Sequence, residues 1–145
     1  MIGLLQRVSE ASVAVDGATV GKIGRGLLVL VAVHRDDGQK EVARLAERIL
    51  GYRVFPDEEG RMNRSVSDIH GGLLLVPQFT LAADTRKGTR ASFTKAADPA
   101  AGEAYFERLV GICRDTLGNV ETGKFGANMQ VQLVNDGPVT FWLET

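Results

Sequence analysis

Apolar and polar residues alternate along most of this chain, and the spacing turns helical twice. Gln6, Val8 and then Ala11, Val13 and Val15 keep a period of two, with a break between the groups, so they predict a strand that resumes after an interruption. Asp16-Gly17 is a strong two-residue hairpin signal, and residues 19–23 form its return strand. Residues 27–33 are an unbroken apolar run of strand length, which predicts a central strand. Asp36 or Asp37 is placed to cap a helix in which Val42, Leu45, Ala46, Ile49 and Leu50 make one apolar stripe. Residues 52–55 read as a short strand stopped by Pro56, residues 57–60 as a turn and residues 61–70 as loop. Residues 73–81 predict a strand, with Pro77 confined to an edge or a bulge because it donates no ladder hydrogen bond. After a polar loop, residues 84–95, Asp98-Pro99 gives an N-cap and a proline at the first helical position. Phe106, Leu109, Val110, Cys113 and Leu117 line that helix, and Gly118 ends it. Residues 120–122, 129–134 and 139–143 are the last strands. Two main helices amid about eight strands predict an α+β fold, a barrel-like sheet with the helices packed on it. Residues 1–145 are of a length for one domain with one core.

Composition narrows the function classes. No apolar stretch reaches 18 residues, which excludes a transmembrane helix, and no basic region precedes the apolar residues of the start, which argues against a signal peptide. A lone cysteine, Cys113, cannot form an internal disulfide and suits a reducing cytoplasm. Its place on an apolar stripe makes it a buried small hydrophobe rather than a nucleophile. The net charge of −1 announces no polyanion partner. Locally, however, Arg86, Lys87, Arg90 and Lys95 fall within ten residues with only Asp84 beside them. Such a cluster fits phosphate contact and fits a solvated loop equally well.

The usual hydrolytic constellations are missing. His34 and His70 show no metal-like spacing and there is no cysteine pair, so neither a zinc site nor any other metal or cofactor is implied. No nucleophile elbow or phosphate-binding loop is present, and no local pattern supports a histidine base. Two segments stand out instead. Gly137-Pro138 sits between two apolar runs, either as a plain turn or as a rigid pair aiming main-chain carbonyls at something. The most apolar stretch of the chain ends in Pro77-Gln78-Phe79-Thr80-Leu81, where alternation places Gln78 and Thr80 on one face of an extended strand. Taken alone, Thr80 is an ordinary strand residue and Phe79 a core residue.

Together these segments resemble the two signatures of the D-aminoacyl-tRNA deacylases, Ser-Gln-Phe-Thr-Leu and Asn-X-Gly-Pro-Val-Thr. The second is intact at Asn135-Asp136-Gly137-Pro138-Val139-Thr140; the first has Pro77 where the family usually has Ser. Residues 1–8, 26–30, 50–53 and 122–125 match further pieces in order, so the resemblance covers essentially the whole chain. It implies an esterase that hydrolyses D-aminoacyl-tRNA, and glycyl-tRNA mischarged on tRNA-Ala, to free amino acid and tRNA. It implies catalysis at Gln78, Phe79 and Thr80 by main-chain groups and the substrate's own ribose hydroxyl, without a cofactor. Gly137-Pro138, in cis and oriented by Arg7, would form the chiral wall, reaching from one subunit of a homodimer into the partner's pocket. Pro77, Phe125 and Met129 would line the substrate site, the last two around the terminal adenosine of the aminoacyl-tRNA 3′ end. By residue type alone, Phe125 reads as core packing or as a stacking ring, Met129 as core, and Arg7 as a surface arginine.

Pro77 is the departure that matters. A related animal branch also has Pro there, but with Ala in place of the Phe, and it tolerates L-alanyl esters. This chain keeps Phe79, Arg7 and the Gly-Pro pair, which fits the D-specific type. Two alternatives stay open: a deacylase shifted towards L-alanyl-tRNA, and a non-catalytic module that binds aminoacylated RNA ends.

Overall fold

The structure is a computed structural model that describes residues 1–145. Eight strands and two helices follow in the order β1 (Ile2–Val15), β2 (Ala18–Ile23), β3 (Gly26–Ala32), α1 (Gln39–Gly51), β4 (Phe55–Pro56), β5 (Met62–Arg64), β6 (Gly72–Pro77), α2 (Pro99–Leu117), β7 (Val120–Thr122) and β8 (Gln130–Glu144). The expected α+β class is what the chain adopts. β1 is long enough to serve three neighbours. Its first half pairs antiparallel with β3, its second half with β2 across the Asp16-Gly17 turn, and its other edge runs antiparallel to β8. β3 continues to β6 and β6 to β7, both in parallel. β2 then folds back on β7, close enough that a Cβ on Gly21 would lie 2.8 Å from the Thr122 carbonyl oxygen. The sheet thus nearly closes on itself.

Closure explains why residues 27–33 and 72–76 read as continuous apolar runs rather than alternating ones: both faces of these strands are covered. Leu27, Val29, Leu73 and Leu75 point one way, into a core of 22 buried residues shared with Val42, Leu45 and Ile49 of α1 and Phe106, Leu109 and Cys113 of α2. Leu28, Leu74 and Val76 point the other way and fill the barrel with Val8, Ala11, Val13 and Ile23. Burial raises the Cys113 thiol from its ordinary range to about 12, so it is an inert core residue. No helix is long and apolar enough to cross a membrane.

Four local expectations differ from the structure. Neither Asp36 nor Asp37 caps α1. Gly38 holds that position, its N–H donating to Glu41 Oε2, while Asp37 accepts from the Met1 ammonium at 2.6 Å and from the His34 N–H. The strand expected at 52–55 shrinks to Phe55–Pro56, and residues expected to be loop supply its partner, β5. These strands are too short for period-two patterning to register. The strand expected to reach Leu81 stops at Pro77 and gives way to a 3-10 turn, Phe79–Ala82. Finally, Gly137-Pro138 does not turn the chain: β8 runs through it as one strand.

Sequence also dictates the closest approach in the sheet. Gly26 and Gly72 face each other across the parallel β3–β6 pair, and a Cβ on Gly26 would lie 1.9 Å from the Gly72 carbonyl oxygen. Gly26→Ala should therefore destabilise the protein by about 3 kcal/mol or more, because main chain must move to admit the methyl. Gly24→Ala, where a Cβ meets nothing within 4 Å, should stay within about 0.5 kcal/mol. Urea unfolding midpoints of the two variants measure the contrast, and equal midpoints would contradict the packing described.

Candidate active site

The principal groove has a volume of about 490 Å³ and lies where β6 leaves the sheet. Val31, Val33 and Val76 form its apolar floor, Pro77, Gln78 and Phe79 one wall, and residues 125–129 the wall opposite. Pro99 and Gly102, in the first turn of α2, close the back. A smaller depression of about 330 Å³ lies elsewhere, between Glu10, Lys22 and Val134, and brings together no comparable set of groups.

Pro77 fits its place for a reason the ladder supplies. The Gln78 N–H donates to the Val31 carbonyl at 2.7 Å, so the Pro77 nitrogen points to the other edge. There β7 has already ended, its last pairing being Leu75 with Thr122, and no ladder donor is lost. The 3-10 turn that follows overturns the expectation that Gln78 and Thr80 share one face of an extended strand. The turn still brings them together: the Gln78 carboxamide N–H donates to Thr80 Oγ1. The first N–H groups of such a turn have no partner inside it, and no turn or loop bond takes up those of Phe79 and Thr80. Both residues are exposed, Phe79 by 59%. Phe79 lines the groove and Thr80 lies just beyond it, so two main-chain donors and a hydroxyl stand at this edge of the wall.

The opposite wall is a tight turn. The Ala127 N–H donates to the Lys124 carbonyl, with Gly126 at φ 75°. This sets Phe125 over the start of α2, 6.4 Å from the Phe106 ring centroid, where Gly102 leaves room for it. Met129 is pinned across the turn by the Lys124 N–H on its sulfur at 3.3 Å. Both side chains are half-buried and line the groove. Cα–H at Gly102 and the aliphatic floor make this end apolar, suited to a flat aromatic guest.

Arg7, Gly137 and Pro138 lie elsewhere. Gln6 pairs with Thr140 and Val8 with Asn135, so the single residue Arg7 faces four residues of β8, and 136–138 bulge outward, exposed. The Gly137–Pro138 peptide is cis. Gly137 has φ 142°, and a Cβ there would sit 2.9 Å from the Val139 nitrogen, so no other residue fits without strain. Arg7 is 14% exposed at its side chain; its Nε–H donates to the Asp136 carbonyl at 2.9 Å and its Nη1–H to the Val54 carbonyl at 2.6 Å. The sequence reading gave the Asn135 side chain no role, yet it braces the bulge. Its Oδ1 accepts from the Val139 N–H and its Nδ2–H donates to Thr140 Oγ1, both at 2.8 Å, which spans the bulge from within. The signal was the Asn and Thr that flank the Gly-Pro pair at fixed distance. Holding four residues out of the ladder costs roughly 1–2 kcal/mol each in backbone entropy. The charge-assisted Arg7 bond, about 1.5–3 kcal/mol, and the two Asn135 bonds, about 1 kcal/mol each, are of the size needed to offset most of that.

In one chain the groove and the bulge do not meet. Gln78 bonds to Val31 and Arg7 pairs with Leu27, four residues or roughly 13 Å along the strand, while β8 is three strands or roughly 14 Å across from β6. His34 and His70 line neither site: His34 bridges to Ala96 through its main chain, and His70 sits in a turn at φ 51°. No three His, Cys, Asp or Glu side chains come together as metal ligands would.

Comparison with known proteins places this arrangement. The D-Tyr-tRNA(Tyr) deacylase family matches residues 4–144. The D-aminoacyl-tRNA deacylase of Alkalilimnicola ehrlichii is 69% identical over 144 residues, 99% of this chain and 96% of that protein. The D-aminoacyl-tRNA deacylase of Pseudomonas aeruginosa is 60% identical over the full length of both. Among solved structures, one described as a c-Myc DNA unwinding element binding protein superposes with a TM-score of 0.96 at 40% identity, covering 100% of this chain and 99% of that one. A probable eukaryotic D-amino acid tRNA deacylase, 18% identical, has the same fold, with a TM-score of 0.88 over 99% of this chain and 98% of that one. A family match from end to end, with full-length relatives at this identity, means that the chain belongs to the D-Tyr-tRNA(Tyr) deacylase family and is a hydrolase acting on the ester bond of D-aminoacyl-tRNA.

Proposed function

We propose that the groove takes the terminal adenosine and its aminoacyl ester, and that the Gly137-Pro138 bulge of a second copy completes it as a chiral wall. The observation that carries this reading is the separation just described. A rigid, exposed main-chain wall is held ready by Arg7 and Asn135 on a part of the chain that its own groove cannot use. In a symmetric dimer each chain is donor and recipient at once.

The adenine stacks against Phe125, with Met129 beside it, and the ester lies along Gln78–Thr80. The N–H groups of Phe79 and Thr80 point at the oxygen on which negative charge develops when water attacks the ester carbonyl. The neighbouring ribose hydroxyl activates that water, and Gln78 orients the Thr80 hydroxyl as a donor to the ester. Thr80 does not act as nucleophile, because its hydroxyl contacts the Gln78 amide and no base. Carbonyls close to the α-carbon collide with an L side chain, while a D side chain points away and glycine has none to collide. The enzyme therefore acts on D-aminoacyl esters and on glycyl-tRNA mischarged on tRNA-Ala. The Pro77 departure favours one second reading, activity on L-alanyl-tRNA, and the same assay separates the two.

The expected profile is turnover of D-tyrosyl-tRNA and glycyl-tRNA with L-tyrosyl-tRNA and L-alanyl-tRNA spared. Comparable rates on D and L esters would remove the collision mechanism.

His34→Ala, His70→Ala and Cys113→Ala should each keep single-turnover rates within about tenfold, since loss of a general base costs typically 10²–10⁴-fold. Thr80→Ala should slow the reaction without abolishing it. A trapped acyl-enzyme on wild type, absent in that variant, would make Thr80 the nucleophile.

Mixing Gly137→Val with the double variant Gln78→Ala/Phe125→Ala, which loses both ester and adenosine contacts, tests the shared site once each variant alone is shown to be inactive. Random pairing makes half the dimers mixed, and half their pockets carry neither defect, so activity should return to about a quarter of wild type. No recovery with mixed dimers demonstrably formed would place the wall within its own chain.

A further inference from the structure

Residues 84–95 leave the sheet and return to it at the rim of the groove. Asp84 follows the turn that carries Phe79, and Ala97, just beyond Lys95, lines the groove. The segment is held as a defined excursion: Asp84 and Ser92 exchange main-chain bonds at 2.7 and 3.0 Å, and the Arg35 N–H donates to the Lys95 carbonyl at 2.9 Å. Its charge is one-sided. Arg86 grips Asp84 through both carboxylate oxygens, holding that carboxyl well below the usual carboxylate range, and so the segment's one acidic group is spent. Lys87, Arg90 and Lys95 are exposed and pair with no carboxylate. Among them Phe93 is 41% exposed, its ring centroid 5.0 Å from that of Phe79 at the groove mouth. An exposed aromatic ring beside unpaired cations matches an unpaired nucleic-acid strand, stacking for the base and charge for the phosphates.

We propose that residues 84–95 are the track for the unpaired nucleotides that immediately precede the terminal adenosine, with Phe93 stacking on a base and Lys87 and Arg90 contacting phosphates. This rests on the reading that the groove takes the adenosine. The track then makes the enzyme favour a polynucleotide ester over an isolated aminoacyl-adenosine.

The test compares D-tyrosyl-tRNA with 3′-O-D-tyrosyl-adenosine. Phe93→Ala should lower kcat/KM on the tRNA about fivefold or more, the loss expected for one stacked base, and leave the adenosine ester unchanged. Lys87→Ala/Arg90→Ala should do the same and reduce the slope of log kcat/KM against log salt by about 1.4, two phosphate contacts on a single strand. Thermal midpoints equal to wild type establish that the variants are folded. Phe125→Ala should weaken both substrates. Loss on both substrates from the track variants, or on neither while Phe125→Ala impairs both, would overturn the track alone. An innocuous Phe125→Ala would overturn the adenosine reading on which it rests.

Discussion

The hydrogen-bond ladder between β1 and β8 is the interaction on which the rest of the molecule depends. β1 presents one edge to β8 and the other to β3 and β2, so a single strand fixes the barrel and the strand that carries the Gly-Pro pair. Its register decides which β1 residue faces the bulge, and that residue is Arg7. A shift by one would turn Arg7 to the opposite face and leave the Asp136 carbonyl without its donor. The apolar residues of β8 make such a shift costly: Val139, Phe141 and Leu143 pack on the helix-facing core and Val131 and Leu133 on the lumen, and a one-residue slip would turn both sets away. Core packing thus holds the geometry of an exposed loop more than ten ångströms, roughly three strands, from the groove.

The chemistry follows from what the site lacks. No histidine or cysteine lines the groove; its polar side chains are Gln78, Asn128 and Asp98, the last committed to capping α2, and the Thr80 hydroxyl lies just beyond Phe79, bonded to Gln78. An aminoacyl ester is an activated bond that carries a hydroxyl of its own beside it, so positioning and charge stabilisation suffice. Main chain also suits chirality. A side chain can rotate away from an unwanted substituent, whereas a peptide unit clamped on both flanks cannot, and Arg7 and Asn135 provide those clamps.

Much of the fold was legible because long elements repeat their period many times. The stripe of Val42, Leu45, Ala46, Ile49 and Leu50 and the Asp98-Pro99 start of α2 are where the pattern put them. What escaped was settled by contacts distant in sequence. Asp37 gave up the cap for the Met1 ammonium, 36 residues away. β4 and β5 exist only because they pair with each other. Gly137-Pro138 reads as a turn in isolation, yet β1 keeps β8 straight on either side of it. At the site, five of the residues that the resemblance named, Pro77, Gln78, Phe79, Phe125 and Met129, share one groove, while Thr80 lies just beyond it and Arg7, Gly137 and Pro138 lie apart. Local alternation misjudged how Gln78 and Thr80 meet, since a 3-10 turn replaces the strand, and Asn135 was invisible until its partners across the bulge were in view.

The central claim is that one chain's groove is closed by another chain's Gly137-Pro138. The most direct measurement is a crystal structure of the protein with a non-hydrolysable analogue, 3′-deoxy-3′-(D-tyrosylamino)adenosine. The account predicts the adenine against Phe125, the amide carbonyl oxygen facing the N–H groups of Phe79 and Thr80, and the D α-carbon against the Gly137 and Pro138 carbonyls of the neighbouring subunit. An analogue seated in the groove with no second chain near its α-carbon, or seated outside the groove, would contradict it.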